Sequence, residues 1–205
     1  MKKGIFITFE GGEGAGKTCL IEKIKESLLK RNLSLVFTRE PGGTKFGEEI
    51  RNLLLKNRTE KVYSKAELCL FLASRAQHIQ TVIRPSLQDG KIVLCDRYND
   101  SSVAYQGYAR GLGIEEVIAF SSYIVEKTVP DLTLYLDIDP KIGLSRVKSK
   151  YDRIESEKIS FHQKIRDGFL LLAKKYPDRI KILDAGKSKE EVFEIAMNYI
   201  EKFIE

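Results

Sequence analysis

The sequence has little histidine and little cysteine: of its 205 residues, two are histidine and three are cysteine. Cys19, Cys69 and Cys95 are widely spaced, odd in number and without a CxxC pair, which favours reduced thiols over a disulfide framework. His78 and His162 have no cysteine or carboxylate pattern beside them at metal-ligand spacing. The sequence therefore does not predict a zinc site.

Long apolar runs are also missing. No run approaches the roughly 18 residues that a membrane-spanning helix needs. The N-terminal stretch MKKGIFITFE has two lysines and a short apolar run, but the run stops at Glu10 and no small-residue cleavage site follows. We therefore interpret this stretch as a first strand and not as a signal peptide. Together with the reduced thiols, this predicts a cytoplasmic protein that has no membrane contact.

The sequence also lacks a segment in which charges of one sign predominate. The formal net charge is +6, but lysine and arginine alternate with glutamate along helix-like stretches such as KIKESLLKR. Such pairs usually form solvated helix faces. No basic stripe with interleaved aromatic residues is visible, so a nucleic-acid partner is not predicted. A mildly basic balance also suits a protein whose ligands are polyphosphates.

What the sequence does contain is an alternation of short apolar runs and longer helical patterns. Nearly continuous apolar runs are typical of parallel strands covered on both faces, and their alternation with helices predicts a single α/β domain over 1–205 with a doubly wound sheet. The strands are predicted at 4–9, 33–38, 91–96, 132–137 and 179–184. The helices are predicted at 17–31, 46–57, 64–86, 114–127, 140–149, 157–176 and 188–204. The charge-rich segment 146–158 is interpreted as a short lid.

The clearest motif is GGEGAGKT at 11–18, which fits G-x-x-x-x-G-K-[ST] between a predicted strand and a predicted helix. Backbone N–H groups of such a loop cup phosphate oxygens, and the following helix directs its positive end at the same anion. The motif predicts binding of a nucleoside triphosphate with Mg²⁺. The predicted nucleotide-binding residues are Gly11, Gly12, Glu13, Gly14, Ala15, Gly16, Lys17 and Thr18. Lys17 would reach the β- and γ-phosphates, and the Thr18 hydroxyl would bind the metal.

Further polar residues follow the other strands. Asp96 ends the third apolar run, where a carboxylate can hold Mg²⁺, and Arg97 beside it can bridge the oxygens of a transferred phosphoryl group. Phe71 and Arg75 lie one turn apart on a predicted helix, which places an aromatic ring beside a hydrogen-bond donor. The pair could take a planar base, although core packing is the commoner role for such residues.

This set of motifs resembles the bacterial thymidylate kinases, and the order and spacing match over almost the whole chain. The phosphate loop is shared by many families, whereas the remaining motifs are more specific. They are REPGGT at 39–44, FLASR at 71–75, DRY at 96–98, AYQGYARG at 104–111 and DRIE at 152–155. The resemblance implies an ATP:dTMP phosphotransferase with a P-loop NTPase fold, a five-stranded parallel sheet with helices on both faces, and a homodimer.

The resemblance also implies roles for individual residues. Phe71 would stack on thymine, Arg75 would bond a base edge, and Tyr105 would crowd the 2′ position of the sugar. Ser102 and Gln106 would help to fix the base. Arg97 would bind the acceptor phosphate, Arg39 would contact it, and Glu13 would lie near the acceptor. The implied catalytic residues are Lys17, Arg97, Arg153 and Glu13.

The lid departs from the family pattern. In this family an arginine lies either in the phosphate loop or in the lid, and here positions 13 and 15 are Glu and Ala, so the lid must supply the cation. Arg153 is the first choice and Arg146 the second. The lid carries Lys148 and Lys150 where relatives often have arginine.

Other functions remain open at this point. Glu40 stands where deoxynucleoside kinases have a base that activates a 5′-hydroxyl, so thymidine is an alternative acceptor. A dTMP acceptor would need no base, because a phosphate monoester is already ionised near neutral pH. A GTP-binding switch is a further alternative, but no asparagine is followed by lysine, so the N-K-x-D guanine motif is missing.

Overall fold

A computed structural model describes residues 4–147 and 151–204. Its centre is a five-stranded sheet in which all pairings are parallel and the strand order is β2-β3-β1-β4-β5. The strands are β1 (Ile5–Gly11), β2 (Leu35–Arg39), β3 (Ile92–Asp96), β4 (Leu132–Asp137) and β5 (Ile180–Asp184). All five predicted strands are present, with ends that differ by at most two residues from the predicted ones.

Helices connect the strands. They are α1 (Lys17–Leu29), α2 (Lys45–Leu55), α3 (Ser64–His78), α4 (Arg84–Gln88), α5 (Asn99–Ser102), α6 (Ile114–Val125), α7 (Pro140–Ser145), α8 (Ile159–Lys175) and α9 (Lys189–Ile204). Two π-helical segments, Ile79–Ile83 and Val103–Ala109, continue α3 and α5. The helix that the sequence predicts over 64–86 is therefore one continuous rod whose middle widens to π geometry.

Apolar side chains from both sheet faces form the core. On one face, Ile7 and Phe9 pack with Ile21 of α1 and Ala196 of α9. On the other face, alternate strand residues such as Tyr135 pack against α8 and the second π segment. Because helices cover both faces of the sheet, successive residues of the central strands are buried, which explains the nearly continuous apolar runs in the sequence. The predicted fold class, a P-loop NTPase fold with helices on both faces, is confirmed.

The sheet topology brings three strand ends together. Asp96 pairs in register with Phe9 of β1 on one side and with Arg39 of β2 on the other. The chain leaves β1 toward β2 at one edge, returns to β3, and crosses β1 to reach β4. Such a switch point leaves a crevice at the carboxyl ends of the central strands. The phosphate loop, REPGGT and DRY all follow strands that end at this crevice.

The helical stretch 99–109 was not predicted. Its sequence NDSSVAYQGYA mixes polar residues and glycine with apolar ones, so it lacks a clear helical period. In the structure most of the stretch is buried against α6 and α8, including the polar Gln106 and Ser102. Tertiary packing on both sides stabilises a helix that local propensity does not favour.

The helix predicted at 140–149 ends at Ser145, and Lys148 and Lys150 of the predicted lid lie outside the described residues. Among the residues that are described, no helix combines the length and the apolar character that crossing a membrane requires.

Candidate active site

The loop between β1 and α1 has a backbone that requires glycine. Gly14 has φ +67°, and a Cβ there would lie 1.9 Å from the carbonyl oxygen of Gly143 in α7. Gly16 has φ +94° and precedes the first turn of α1, with open space where a Cβ would be. The loop therefore packs tightly on α7 on one side and leaves its other side open to a ligand.

Lys17 lies inside this loop. Its Nζ donates to the carbonyl oxygens of Gly11 and Gly12, each at 3.1 Å. The side chain is only 8% exposed, and burial together with the nearby Arg97 lowers the pKa of its ammonium group. The predicted phosphate-binding lysine is thus held at the mouth of the loop, whereas Gly11 and Gly12 use their carbonyls to support it.

A large cavity of about 820 Å³ opens over the loop. Thr18 and Asp96 line it, as do Arg39 at the end of β2 and Arg146 after α7. Predicted nucleotide-binding residues that line the large cavity are Glu13, Gly14, Ala15, Gly16, Lys17 and Thr18. A volume of this size is sufficient for a nucleotide.

A small cavity of about 110 Å³ lies on the other side of Arg97. Its lining combines an aromatic wall with polar side chains from α5 and the second π segment. The predicted base and sugar residues among its lining are Phe71, Ser102, Tyr105 and Gln106. The structure therefore brings together four residues that come from two separate helical stretches.

The two cavities meet at a cluster of charged side chains. Glu13, Glu40, Arg51 and Arg97 line both of them. Arg51 donates to the Pro41 carbonyl oxygen at 2.9 Å. Burial, Arg39 and Arg97 together lower the pKa of Arg51, so positive charge is incompletely neutralised here. Such a junction is suited to an anion that passes between two ligands.

Glu13 and Arg97 form the centre of this junction. Arg97 Nη2 donates to Glu13 Oε1 at 2.7 Å, and the Tyr105 hydroxyl donates to the same oxygen at 2.9 Å. Burial alone would raise the pKa of Glu13, but Arg97 and Lys17 lower it to about 2. Glu13 is therefore ionised at all physiological pH values and fixes the guanidinium between the cavities.

The backbone at Arg97 is also unusual, since its φ of +67° is rare for a residue with a Cβ. Glu10 stabilises this turn from below: its carboxylate accepts from Tyr98 N at 2.8 Å and from Ser101 Oγ at 2.5 Å. Burial and the nearby Asp100 raise the pKa of Glu10 to about 7. The turn thus directs the Arg97 side chain toward Gly11 O, which accepts from Nη1 at 2.8 Å.

Arg75 lies beside the small cavity, and its side chain is 1% exposed. Its Nε donates to Glu40 Oε2 at 2.7 Å, and Nη1 donates to Ser102 Oγ at 3.0 Å. Glu40 Oε1 in turn lies 2.9 Å from His78 Nδ1. Arg75 is therefore a bracing residue behind Ser102 in this structure, and its contact with a base edge stays a prediction.

Three other arginines that the sequence analysis named, Arg39, Arg153 and Arg146, differ in their exposure and in their distance from the large cavity. Arg39 is half-exposed and pairs with Glu48 at 3.0 Å. Arg153 is anchored away from the large cavity, because its Nε donates to Leu54 O at 2.8 Å and its Nη2 lies 2.6 Å from Glu67 Oε2. Arg146, the second choice for a lid cation, lines the large cavity.

Arg51 and Glu10 are the site residues that the sequence interpretation missed. Arg51 lies in EEIRNLLLKNR, where its charge looks like part of a solvated helix face. Glu10 ends an apolar run, and a buried carboxylate at that position has no local sequence signal.

Comparison with known proteins agrees with this geometry. A family model described as thymidylate kinase matches residues 9–195. The thymidylate kinase of Shouchella clausii is 45% identical, over 100% of this chain and 98% of the relative. That of Acholeplasma laidlawii is 48% identical, over 97% and 99%.

A solved structure is similar as well. The crystal structure of thymidylate kinase from Ehrlichia chaffeensis is 34% identical in sequence and aligns with a TM-score of 0.78, covering 97% of this chain and 99% of that chain. Since the family model matches most of the chain, and full-length relatives share its sequence and its fold, the chain belongs to the thymidylate kinase family.

Proposed function

We propose that this protein transfers the γ-phosphoryl group of ATP to dTMP and so produces dTDP for dTTP synthesis. The observation that carries the proposal is the junction at Arg97, where a cavity at the phosphate loop meets a cavity lined by Phe71, Tyr105 and Gln106. ATP would occupy the large cavity and dTMP the small one. The two phosphate groups would then meet at Arg97, Arg51 and Lys17.

The chemistry needs positioning and charge neutralisation more than proton transfer. The phosphate of dTMP is already an anion near neutral pH, so it can attack without a general base. Charge spreads over the transferred oxygens in the transition state, and Lys17 and Arg97 are placed to stabilise it. Of the two lid arginines, Arg146 has the better position for the same task, since Arg153 would first have to leave Glu67.

The described residues fit a magnesium ion, which the family chemistry implies. Asp96 Oδ1 is buried and accepts no hydrogen bond from the described residues, and the hydroxyl of Thr18 lines the same cavity. Carboxylate and hydroxyl oxygens are the ligands that Mg²⁺ prefers. When bound, the ion would neutralise charge on the donor phosphates.

Glu40 argues against thymidine as the acceptor. Both of its carboxylate oxygens are engaged, one by Arg75 and the other by His78. The side chain is 3% exposed. A carboxylate held in this way is poorly placed to take a proton from a 5′-hydroxyl. We therefore assign Glu40 to bracing the REPGGT loop.

A homodimer is part of the proposal. Large apolar side chains are exposed on α2 and α6, two helices that both pack against α3. On α6, Phe120 is 55% exposed and Tyr123 is 85% exposed, and on α2 Phe46 and Leu53 are each 52% exposed. Exposed large apolar residues of this kind favour association between copies.

An assay of acceptors tests the function. With Mg²⁺ and ATP, we expect ADP release in the presence of dTMP, with kcat/KM at least about a hundredfold above that for thymidine, since thymidine lacks the phosphate that Arg97 and Arg51 would hold. Addition of EDTA should stop the reaction. Chromatography should identify dTDP as the product, and AMP and dUMP complete the acceptor series. Faster turnover of thymidine, or no dTDP from dTMP, would contradict the proposal.

Tyr105 should decide between deoxyribose and ribose. Its ring is 6% exposed, lines the small cavity and is held edge-on by Phe161 and Phe169. We expect Tyr105→Ala to reduce the preference for dTMP over ribothymidine 5′-monophosphate at least about tenfold, because the ring would occupy the space of a 2′-hydroxyl on the bound sugar.

The matched variant Tyr105→Phe keeps the ring and loses the hydroxyl that donates to Glu13. It should retain the sugar preference even if the rate falls. The measurement is the ratio of kcat/KM for the two nucleotides. An unchanged ratio in the alanine variant would remove Tyr105 from the sugar pocket.

A further inference from the structure

Glu67 of α3 is a buried carboxylate that the proposed mechanism does not use. Its side chain is 1% exposed and has three partners from distant parts of the chain. Gln106 Nε2 donates to Oε1 at 2.9 Å, and Arg110 Nε donates to the same oxygen at 3.2 Å. Arg153 Nη2 lies 2.6 Å from Oε2. Glu67 thus connects the small cavity, through Gln106, with the predicted lid.

This carboxylate is ionised. Burial would raise its pKa, but Arg110, Gln106 and Arg153 reverse that effect, and the pKa of Glu67 is lowered overall. An ionised carboxylate has acceptors and no donor. The amide of Gln106 must therefore turn its NH₂ group toward Glu67, because its oxygen would be repelled there.

The orientation fixes what Gln106 presents to a ligand. Gln106 lines the small cavity, whereas Glu67 lies behind it. With the nitrogen engaged at Glu67, the amide oxygen is the atom available to the cavity. Within residues 4–147 and 151–204, this oxygen accepts no hydrogen bond. The small cavity therefore contains a fixed hydrogen-bond acceptor.

We propose that Glu67 is a positioning residue that sets base specificity: it holds Gln106 with its oxygen toward the ligand, so that the site takes a pyrimidine with an N–H at position 3 and rejects one with a bare nitrogen there. Thymine and uracil carry N3–H, whereas N3 of cytosine is an acceptor. The inference rests on the proposed function, since it assumes a nucleoside monophosphate in the small cavity. Opposed acceptors in a buried site are costly, which makes the discrimination large.

The test is Glu67→Gln, with dissociation constants for dTMP, dUMP and dCMP measured by calorimetry so that no turnover is needed. A glutamine at 67 can both donate and accept, so Gln106 becomes free to turn either face to the base. We expect the preference for dTMP over dCMP to fall at least about tenfold. The preference for dTMP over dUMP should not change, because both bases carry N3–H.

Glu157→Gln is the matched control. Glu157 pairs with Arg110 in the same cluster, whereas the side-chain amide of Gln106 donates to Glu67. Glu157→Gln makes the same change from carboxylate to amide. The preference of this variant for dTMP over dCMP should stay within about twofold of the parent value. If Glu67→Gln also kept the parent preference, or lowered the affinity for all three nucleotides equally, Glu67 would be a structural residue only.

If thermal unfolding shows that Glu67→Gln does not fold, Gln106→Leu is measured in its place. The preference of Gln106→Leu for dTMP over dCMP must then fall at least about tenfold. A retained preference overturns the inference. Failure of the proposed function would look different, because the parent protein would then make no dTDP from dTMP with ATP. A parent that makes dTDP and a variant that keeps its preference would refute the role of Glu67 alone.

Discussion

Replacing Lys17 with alanine should reduce kcat for phosphoryl transfer from ATP to dTMP on the order of a thousandfold. Lys17 is the cation inside the phosphate loop, where its ammonium group is 3.1 Å from the carbonyl oxygens of Gly11 and Gly12. No other lysine lies within the loop itself. Without Lys17, no ammonium group in the loop stabilises the negative charge that develops on the transferred phosphoryl group. The measurement is steady-state ADP release at saturating ATP and dTMP.

The control for this variant is Lys30→Ala. Lys30 is exposed and caps the C-terminal end of α1, whereas Lys17 begins the same helix. Thirteen residues of helix separate the two positions by roughly 20 Å. Lys30→Ala should turn over like the parent protein, and both variants should show cooperative thermal unfolding. Near-normal turnover of a folded Lys17→Ala protein would refute the assignment of the loop.

Replacing Arg97 with alanine should have an effect of similar size, on the order of a thousandfold in kcat/KM for dTMP. Arg97 lines both cavities and is held there by Glu13 and Gly11 O. Its removal leaves Glu13 without its main counter-ion at the junction. The Glu13 carboxylate would then repel the phosphate at the place where the Arg97 guanidinium attracted the phosphate before. The loss should therefore exceed the value of one hydrogen bond.

The division of this loss between kcat and KM identifies the role of Arg97. A fall in kcat shows that the guanidinium stabilises the transition state, whereas a rise in KM alone would make it a ground-state binder. Arg31→Ala is the control, since Arg31 is 42% exposed and pairs with Glu201 beyond the far end of α1. If Arg97→Ala changed turnover no more than Arg31→Ala does, the junction would not be where phosphoryl transfer occurs.

Much of the candidate site could be predicted because its residues follow strand ends. Lys17 follows the first apolar run through the glycine loop, Asp96 ends the third run, and the parallel topology places the carboxyl ends of these runs at one edge. Gln106 and Tyr105 were recognised through the resemblance to a family and not through a physical pattern. Arg51 had neither signal, because one arginine on a charged amphipathic helix looks like any other until the helix is placed in space.

The lid shows where such reasoning is weakest. Arg153 and Arg146 are both arginines in a charge-rich segment, and their order in sequence says nothing about which one faces the phosphate loop. In the structure Arg153 is bound by Glu67 and by the end of α2, and Arg146 lines the large cavity. The difference depends on Glu67, which is more than 80 residues away in the chain and carries no motif of its own.

The sequence by itself determined the layering of this protein and the position of its phosphate loop. Both follow from local physics: continuous apolar runs must be buried on both faces, and a glycine loop before a helix exposes N–H groups to an anion. Only the tertiary structure decided which charges meet. Arg97 reaches Glu13, Arg75 reaches Glu40, and Gln106 reaches Glu67. A buried charge takes its partner from whatever the fold brings within about 3 Å, and that distance is set by packing between helices far apart in sequence.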